Sequence, residues 1–136
     1  MKVKNCVFFQ LTKAAQTGAG FWANRIAHLN VTPSQAMVLN ALREEDRIPS
    51  HVLGEKLRIT SATTTGILDR LEKMDMVERA PHPDDRRAIL VCLTKEGKQI
   101  ANKLETLLEE ANQDFLGSLS KEEESFFRAL LKKLIN

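Results

Sequence analysis

Apolar residues return every three or four positions along most of this chain, and short β-prone runs replace them in one region only. From about residue 4 to residue 29, Phe8, Leu11, Ala15, Phe21, Trp22, Ile26 and Leu29 keep helical spacing. The pattern predicts a long amphipathic helix, loosened around Gly18 and Gly20. Thr32-Pro33-Ser34-Gln35 is a helix start: Thr32 can cap, Pro33 suits the first turn, and Gln35 stands where a capping box places Glu or Gln. That helix runs through Ala36, Val38, Leu39 and Leu42 to about Glu45, and residues 46–49 read as a short connection. Ser50 can cap a brief helix carrying Val52, Leu53 and Leu57, and residues 58–60 form a turn.

A third helix follows over about residues 61–74. Its phase puts Thr64, Ile67, Leu68, Leu71 and Met74 toward a core. Ala62, Thr65, Gly66, Asp69 and Lys73 fall on the opposite side, with Ser61 and Thr63 exposed near its start. Two β-prone runs, 77–80 and 88–93, then flank a loop holding Pro81, His82, Pro83, Asp84, Asp85, Arg86 and Arg87. A hairpin so short buries no core of its own and must lean on helices. Thr94 can cap a long helix with a stripe of Ile100, Leu104, Leu107, Leu108, Ala111, Phe115 and Leu116, broken at residues 117–120. Ser120 with Glu123 repeats the capping-box signature before a last helix bearing Phe126, Phe127, Leu130, Leu131 and Leu134.

Helix, three short helices, hairpin, long helix, terminal helix: the fold class is mainly α with a small β-hairpin wing. It reads as a winged helix-turn-helix at 31–94 inside one domain spanning 1–136. Segments 1–30 and 95–136 supply more apolar helix than that lobe needs, so they read as dimerisation helices. A homodimer would present two recognition helices to pseudo-palindromic half-sites about 34 Å apart on double-stranded DNA.

Composition narrows the chemistry. The chain has 136 residues, 43% hydrophobic and 28% charged, which suits one ordinary globular domain. A net charge of +2 does not by itself indicate a nucleic-acid partner, so any DNA-binding face depends on where charges lie. The apolar run at 6–9 is too short for a signal peptide, and no stretch approaches membrane-spanning length, so a cytoplasmic location without membrane contact is expected. Three scattered histidines and two distant cysteines lack metal-ligand spacing, and a disulfide is not expected. No nucleophile–base pair or phosphate loop can be assembled. Neither enzymatic activity, a cofactor nor a metal is expected.

The chain resembles the MarR family of bacterial transcriptional regulators over nearly its whole length. The carrying residues are VTPSQAMVLNAL at 31–42 and LDRLEKMDMVERAPHPDDRRAILVCLTKEGKQ at 68–99, the latter holding Asp85-Arg86-Arg87 and Leu93-Thr94-Lys95-Glu96-Gly97. The resemblance implies a triangular homodimer, with recognition helices in the major groove and wings at the minor groove. It also implies that Asp85 braces Arg87. Two positions depart from the family pattern. Asp75 stands where a glycine is usual, in a turn Asp can still make, and Gly66 follows Thr65 where a basic residue is common.

The DNA-binding residues expected are Ser61, Ala62, Thr63, Thr65, Gly66, Arg70, Lys73, Arg86 and Arg87. Short hydroxyl side chains suit close approach to base edges and phosphates, although Ser and Thr also favour helix starts for capping alone. Gly66 fits either close packing or close approach of the DNA backbone. Arg87 suits a narrowed minor groove. Asp84 and Asp85 would repel phosphate if free, so at least one, Asp85 the better placed, is expected to pair with an arginine. Arg58 and Arg79 join Arg70 and Lys73 as phosphate contacts, while Arg70 and Lys73 fit equally as surface charges paired with Asp69 and Glu72. Phe21, Trp22, Arg25, His28 and Met37 are the expected lining of the small-molecule pocket that family members often carry, though such a stripe also fits plain core. The leading function is a homodimeric repressor released by a small aromatic or amphipathic effector. The alternatives are a peroxide or redox sensor acting through Cys6, and a winged-helix module for protein assembly. Family members that sense peroxide activate their thiol with tyrosines, and this chain contains none.

Overall fold

A computed structural model describes all of residues 1–136. Helix α1 (Val7–Ile26) is preceded and followed by single 3-10 turns and leads to α2 (Pro33–Glu44), β1 (Ile48–Pro49), α3 (Ser50–Leu57) and α4 (Ser61–Lys73). The wing strands β2 (Val77–Pro81) and β3 (Ile89–Leu93), then α5 (Lys95–Phe115) and α6 (Lys121–Ile135), complete the chain.

Both expected capping boxes form. Thr32 and Gln35 exchange hydrogen bonds at the head of α2, as Ser120 and Glu123 do at the head of α6. Thr94 caps α5 by accepting from the Gly97 N–H. At α3 the expectation fails: Pro49 occupies the cap position with no side-chain bond, and Ser50 is already helical. Nor is α1 loosened. It is continuous through Gly18 and Gly20, neither of which adopts a positive φ.

The segment read as a bare connection contains β1. It pairs antiparallel with β3, Ile48 opposite Val91 and Pro49 opposite Leu90, giving a three-stranded sheet in the order β1-β3-β2. Two residues cannot show strand alternation, and their partner lies more than forty positions away. Asp46 fastens the junction, its Oδ1 accepting from the Leu93 N–H at 2.9 Å.

The core gathers Ile26, Leu39, Leu42, Leu53, Leu68, Leu71, Val91 and Leu104, all essentially inaccessible. Met76 and the turn after α4 meet the start of α5 so closely that only Gly97 fits there. Asp75 takes the left-handed conformation (φ 57°), as the turn requires, and the Asp75 carbonyl accepts from Thr94 Oγ1 at 2.5 Å. The two ends of the chain differ from this lobe. In α6 only Glu124 and Leu131 are even half-buried, and Phe126 and Leu134 are 71% and 69% exposed. Phe8, near the start of α1, is 76% exposed. No helix is long and apolar enough to cross a membrane.

Candidate nucleic-acid interface

Helix α4 is aimed by its first turn. Thr60, in extended conformation, accepts from the Thr63 N–H at 3.2 Å and bonds the Thr63 hydroxyl at 2.9 Å. Thr64 is buried, and its hydroxyl donates back to the Thr60 carbonyl at 2.9 Å. With Thr64, Leu68 and Leu71 locked inward, the helix must present Ser61, Ala62, Thr63, Thr65, Gly66, Asp69, Arg70 and Lys73 outward, and all eight are exposed. A shallow cleft of about 400 Å³ separates this face from the start of α2, between Thr63, Gly66 and Arg70 on one wall and Thr32, Ser34 and Gln35 on the other.

The ion pairs differ from those expected on the helix surface. Asp69 is taken by Arg79 of β2, Nη2 to Oδ1 at 2.5 Å, so Arg79 is occupied. Arg70 and Lys73 make no ion pair with Asp69 or Glu72 and stand unpaired on the outer face. Arg58 is also occupied, bonded to the end of α6.

The wing tip is built by side chain–backbone bonds. His82 Nδ1 accepts from the N–H groups of Asp84 and Asp85 at 3.0 and 3.1 Å, and Asp85 Oδ1 accepts from the Arg87 N–H at 2.9 Å. Asp85 therefore holds the backbone of Arg87 instead of its guanidinium. The expected carboxylate–arginine ion pair at the tip is absent, and Arg86 and Arg87 point exposed, unneutralised charges outward. In the sequence this part played by His82 has one signal, its position between two prolines and two residues before an acidic pair.

Of the five residues expected to line a pocket, two do. Trp22 and Met37 border a groove of about 510 Å³, together with Asn40, Lys56, Leu104 and Leu108 among others. Lys56 pairs there with Glu44 at 3.2 Å. Phe21 instead packs on Phe115 with ring centroids 5.3 Å apart, Arg25 lies over Phe21 and pairs with Asp114, and His28 is exposed outside the groove. Asn40 and Lys56 come from α2 and α3, and polar residues on short helices carry no pocket signature in sequence.

The two thiols part company as well. Cys92 is buried in β3, and desolvation pushes its thiol pKa up, against a lowering from Arg47. Cys6 is half-buried at the start of α1 and is not bonded to another cysteine. No cluster of His, Cys, Asp or Glu is arranged to hold a metal ion.

Comparison with known proteins adds four findings. The MarR family model matches residues 31–89. Across all of this chain and 99% of the relative, identity is 32% to the transcriptional regulator HosA of Escherichia coli O111:H-. Among solved structures, a cysteine-to-serine mutant of MarR from E. coli complexed with operator DNA superimposes with a TM-score of 0.88 at 28% identity, covering 93% of this chain and 91% of that one. BpsR of Bordetella bronchiseptica, whose DNA binding is regulated by 6-hydroxynicotinic acid, gives 0.87 at 27% identity, covering 96% and 98%.

Proposed function

Because the chain belongs to the MarR family, DNA-binding transcriptional regulators and not enzymes, we propose that it is a homodimeric repressor of a pseudo-palindromic operator, released by a small aromatic acid. The observation that carries the DNA-reading part is charge placement. Arg70, Lys73, Arg86 and Arg87 are unpaired on the outer face of α4 and at the wing tip, around a first helical turn of short side chains. Ser61, Ala62, Thr63, Thr65 and Gly66 approach base edges in the major groove, Arg70 and Lys73 bind phosphates, and Arg87 reaches into the minor groove beside Arg86. Residues 31–94 form the DNA-binding lobe, with 1–30 and 95–136 as dimerisation helices in a cytoplasmic protein.

Dimerisation is supported by the apolar residues of α6 (Phe126, Leu130, Leu134) and of the first part of α1 (Val7, Phe8, Leu11), which the chain itself leaves exposed. Release by an effector is supported by the groove beside Trp22 and Met37, whose volume suits a small ring compound. It is also supported by the likeness to BpsR, and repression by the likeness to the homoprotocatechuate degradative operon repressor of E. coli.

The test is selection of bound fragments from genomic DNA, followed by fluorescence anisotropy on the enriched duplex across a salt series. An enriched inverted repeat bound by one dimer, with a steep salt slope, is the expected result. Weak binding to every sequence, with a protein partner retained, would replace DNA reading by a protein-assembly role.

A further inference from the structure

We propose that Arg58 is a positioning residue for DNA recognition, carrying the placement of α6 into the turn that launches the recognition helix. The inference rests on the reading of α6 as a dimerisation helix.

Arg58 ends α3 in the left-handed conformation, φ 54° and ψ 45°. The Ile59 N–H returns to the Gly54 carbonyl at 3.0 Å, and the Arg58 N–H to that of Glu55 at 3.2 Å. This is the helix-ending arrangement in which glycine fits without strain and a side chain does not. An arginine here therefore carries a backbone penalty that the local turn does not need. Its guanidinium shows what accompanies that penalty. Nη1 donates to the Ile135 carbonyl and Nη2 to Asn136 Oδ1 at 3.4 Å, joining segments 77 and 78 positions apart.

The chemistry of the two ends is matched. Carbonyls in the last turn of a helix lack intrahelical donors and carry the negative end of its dipole. A planar guanidinium can donate to such a carbonyl, that of Ile135, and to the neighbouring Asn136 side-chain oxygen at once, which an ammonium cannot do in a fixed geometry. The rest of α6 is held loosely by its own chain, through Arg128 to Asn112 Oδ1 at 3.4 Å and little buried surface. Where α6 lies is thus set largely by whatever covers its apolar face, and Arg58 is where it meets the helix-turn-helix.

On the other side, Arg58 is two residues from Thr60. That residue caps α4 through Thr63 and anchors Thr64. A shift at Arg58 moves the cap, and with it Ser61, Ala62 and Thr63. Seating of α6 against a partner copy would in this way fix the pitch of the first turn that enters the groove. The position also explains why Arg58, basic and next to the recognition helix, is not free for a phosphate.

Arg58→Gly removes the guanidinium while relieving the backbone, so the fold should survive it. Arg58→Lys keeps the charge and loses the two-acceptor geometry. These are compared with a variant lacking Ile135 and Asn136, and with that variant carrying Arg58→Gly. Each is titrated by anisotropy on a duplex enriched from random DNA by the wild type, over a salt series, with the association state from sedimentation velocity. Arg58→Gly and the truncation are each expected to weaken binding by about fivefold or more, the combination by no more than either alone. The salt slope should stay unchanged, and Arg58→Lys should not restore affinity. If Arg58→Gly flattens the slope by about one ion while Arg58→Lys and the truncation bind normally, Arg58 is a phosphate contact and the inference fails. Wild-type affinity in Arg58→Gly would also end it. A monomeric wild type would overturn the dimer reading beneath it, an outcome separable because sedimentation reports it without DNA.

Discussion

Arg79 on the first wing strand grips Asp69 on the outer face of the recognition helix, Nη2 to Oδ1 at 2.5 Å, and the same nitrogen reaches the Thr65 carbonyl at 3.4 Å. Of the six ion pairs in the fold, counting contacts rather than residues, this one alone joins the wing to α4. It fixes the wing against the helix proposed to read DNA and, in that reading, neutralises a carboxylate that would face phosphate.

Removing that clamp should separate stability from recognition. The pair is partly exposed, so Arg79→Ala is expected to lower unfolding free energy by less than about 1 kcal/mol in urea titration. Duplex affinity should fall further, by about 1–2 kcal/mol, because the wing loosens and the Asp69 charge is unmasked. Asp69→Asn in the same chain should recover part of the loss. Full affinity in Arg79→Ala would mean the wing and helix dock independently.

Arg87→Ala should weaken specific DNA binding by about 1–3 kcal/mol and leave the association state unchanged. Asp85→Ala should give a smaller loss of affinity, since Asp85 holds the Arg87 backbone N–H and not its guanidinium. Anisotropy on the two variants decides the order. A larger loss in Asp85→Ala would require the carboxylate to act on more than that one bond.

Gly66 offers a test with opposite signs. A Cβ at this position would meet nothing within 4 Å, so protein packing does not require the glycine. Gly66→Ala should raise stability by about 0.5–1 kcal/mol through helix propensity, seen as a higher urea midpoint. If close approach of DNA is what the glycine serves, the same variant binds its duplex less tightly. Unchanged binding would leave Gly66 without a role in recognition.

Gly97→Ala should be severe. The new Cβ would stand 1.9 Å from the Met76 carbonyl oxygen, a backbone atom that cannot swing aside. Overpacking of this kind costs about 1–3 kcal/mol, and a backbone clash belongs at the upper end. Loss of the cooperative thermal transition, or a midpoint lowered by many degrees, is the expected readout. A neutral result would show that α5 can slide away from the turn after α4.

Local rules explain what was legible from the residues. Thr32 with Gln35, and Ser120 with Glu123, announced helix starts that depend on atoms three residues apart, and both formed. The phase of α4 followed from Thr64, Leu68 and Leu71, because helical periodicity assigns a face without knowing what packs on it. Asp75 at the turn followed from the resemblance, which puts a glycine there, together with the tolerance of Asp for a left-handed backbone.

What the tertiary structure alone decided are pairings between distant segments. Which carboxylate takes which arginine was one: Asp69 lay beside Arg70 and Lys73 in sequence, yet Arg79 reaches it across the wing. Strand β1 needed β3 to exist, and the groove needed α1, α2, α3 and α5 together, so that spacing along α1 does not tell that Phe21, Arg25 and His28 lie outside it or that Lys56 borders it. The bond between Arg58 and the end of α6 spans 77 residues and leaves no trace in periodicity. Sequence fixes each helix's apolar face through spacing of a few residues, whereas long side chains choose partners only after packing has set the distances between helices.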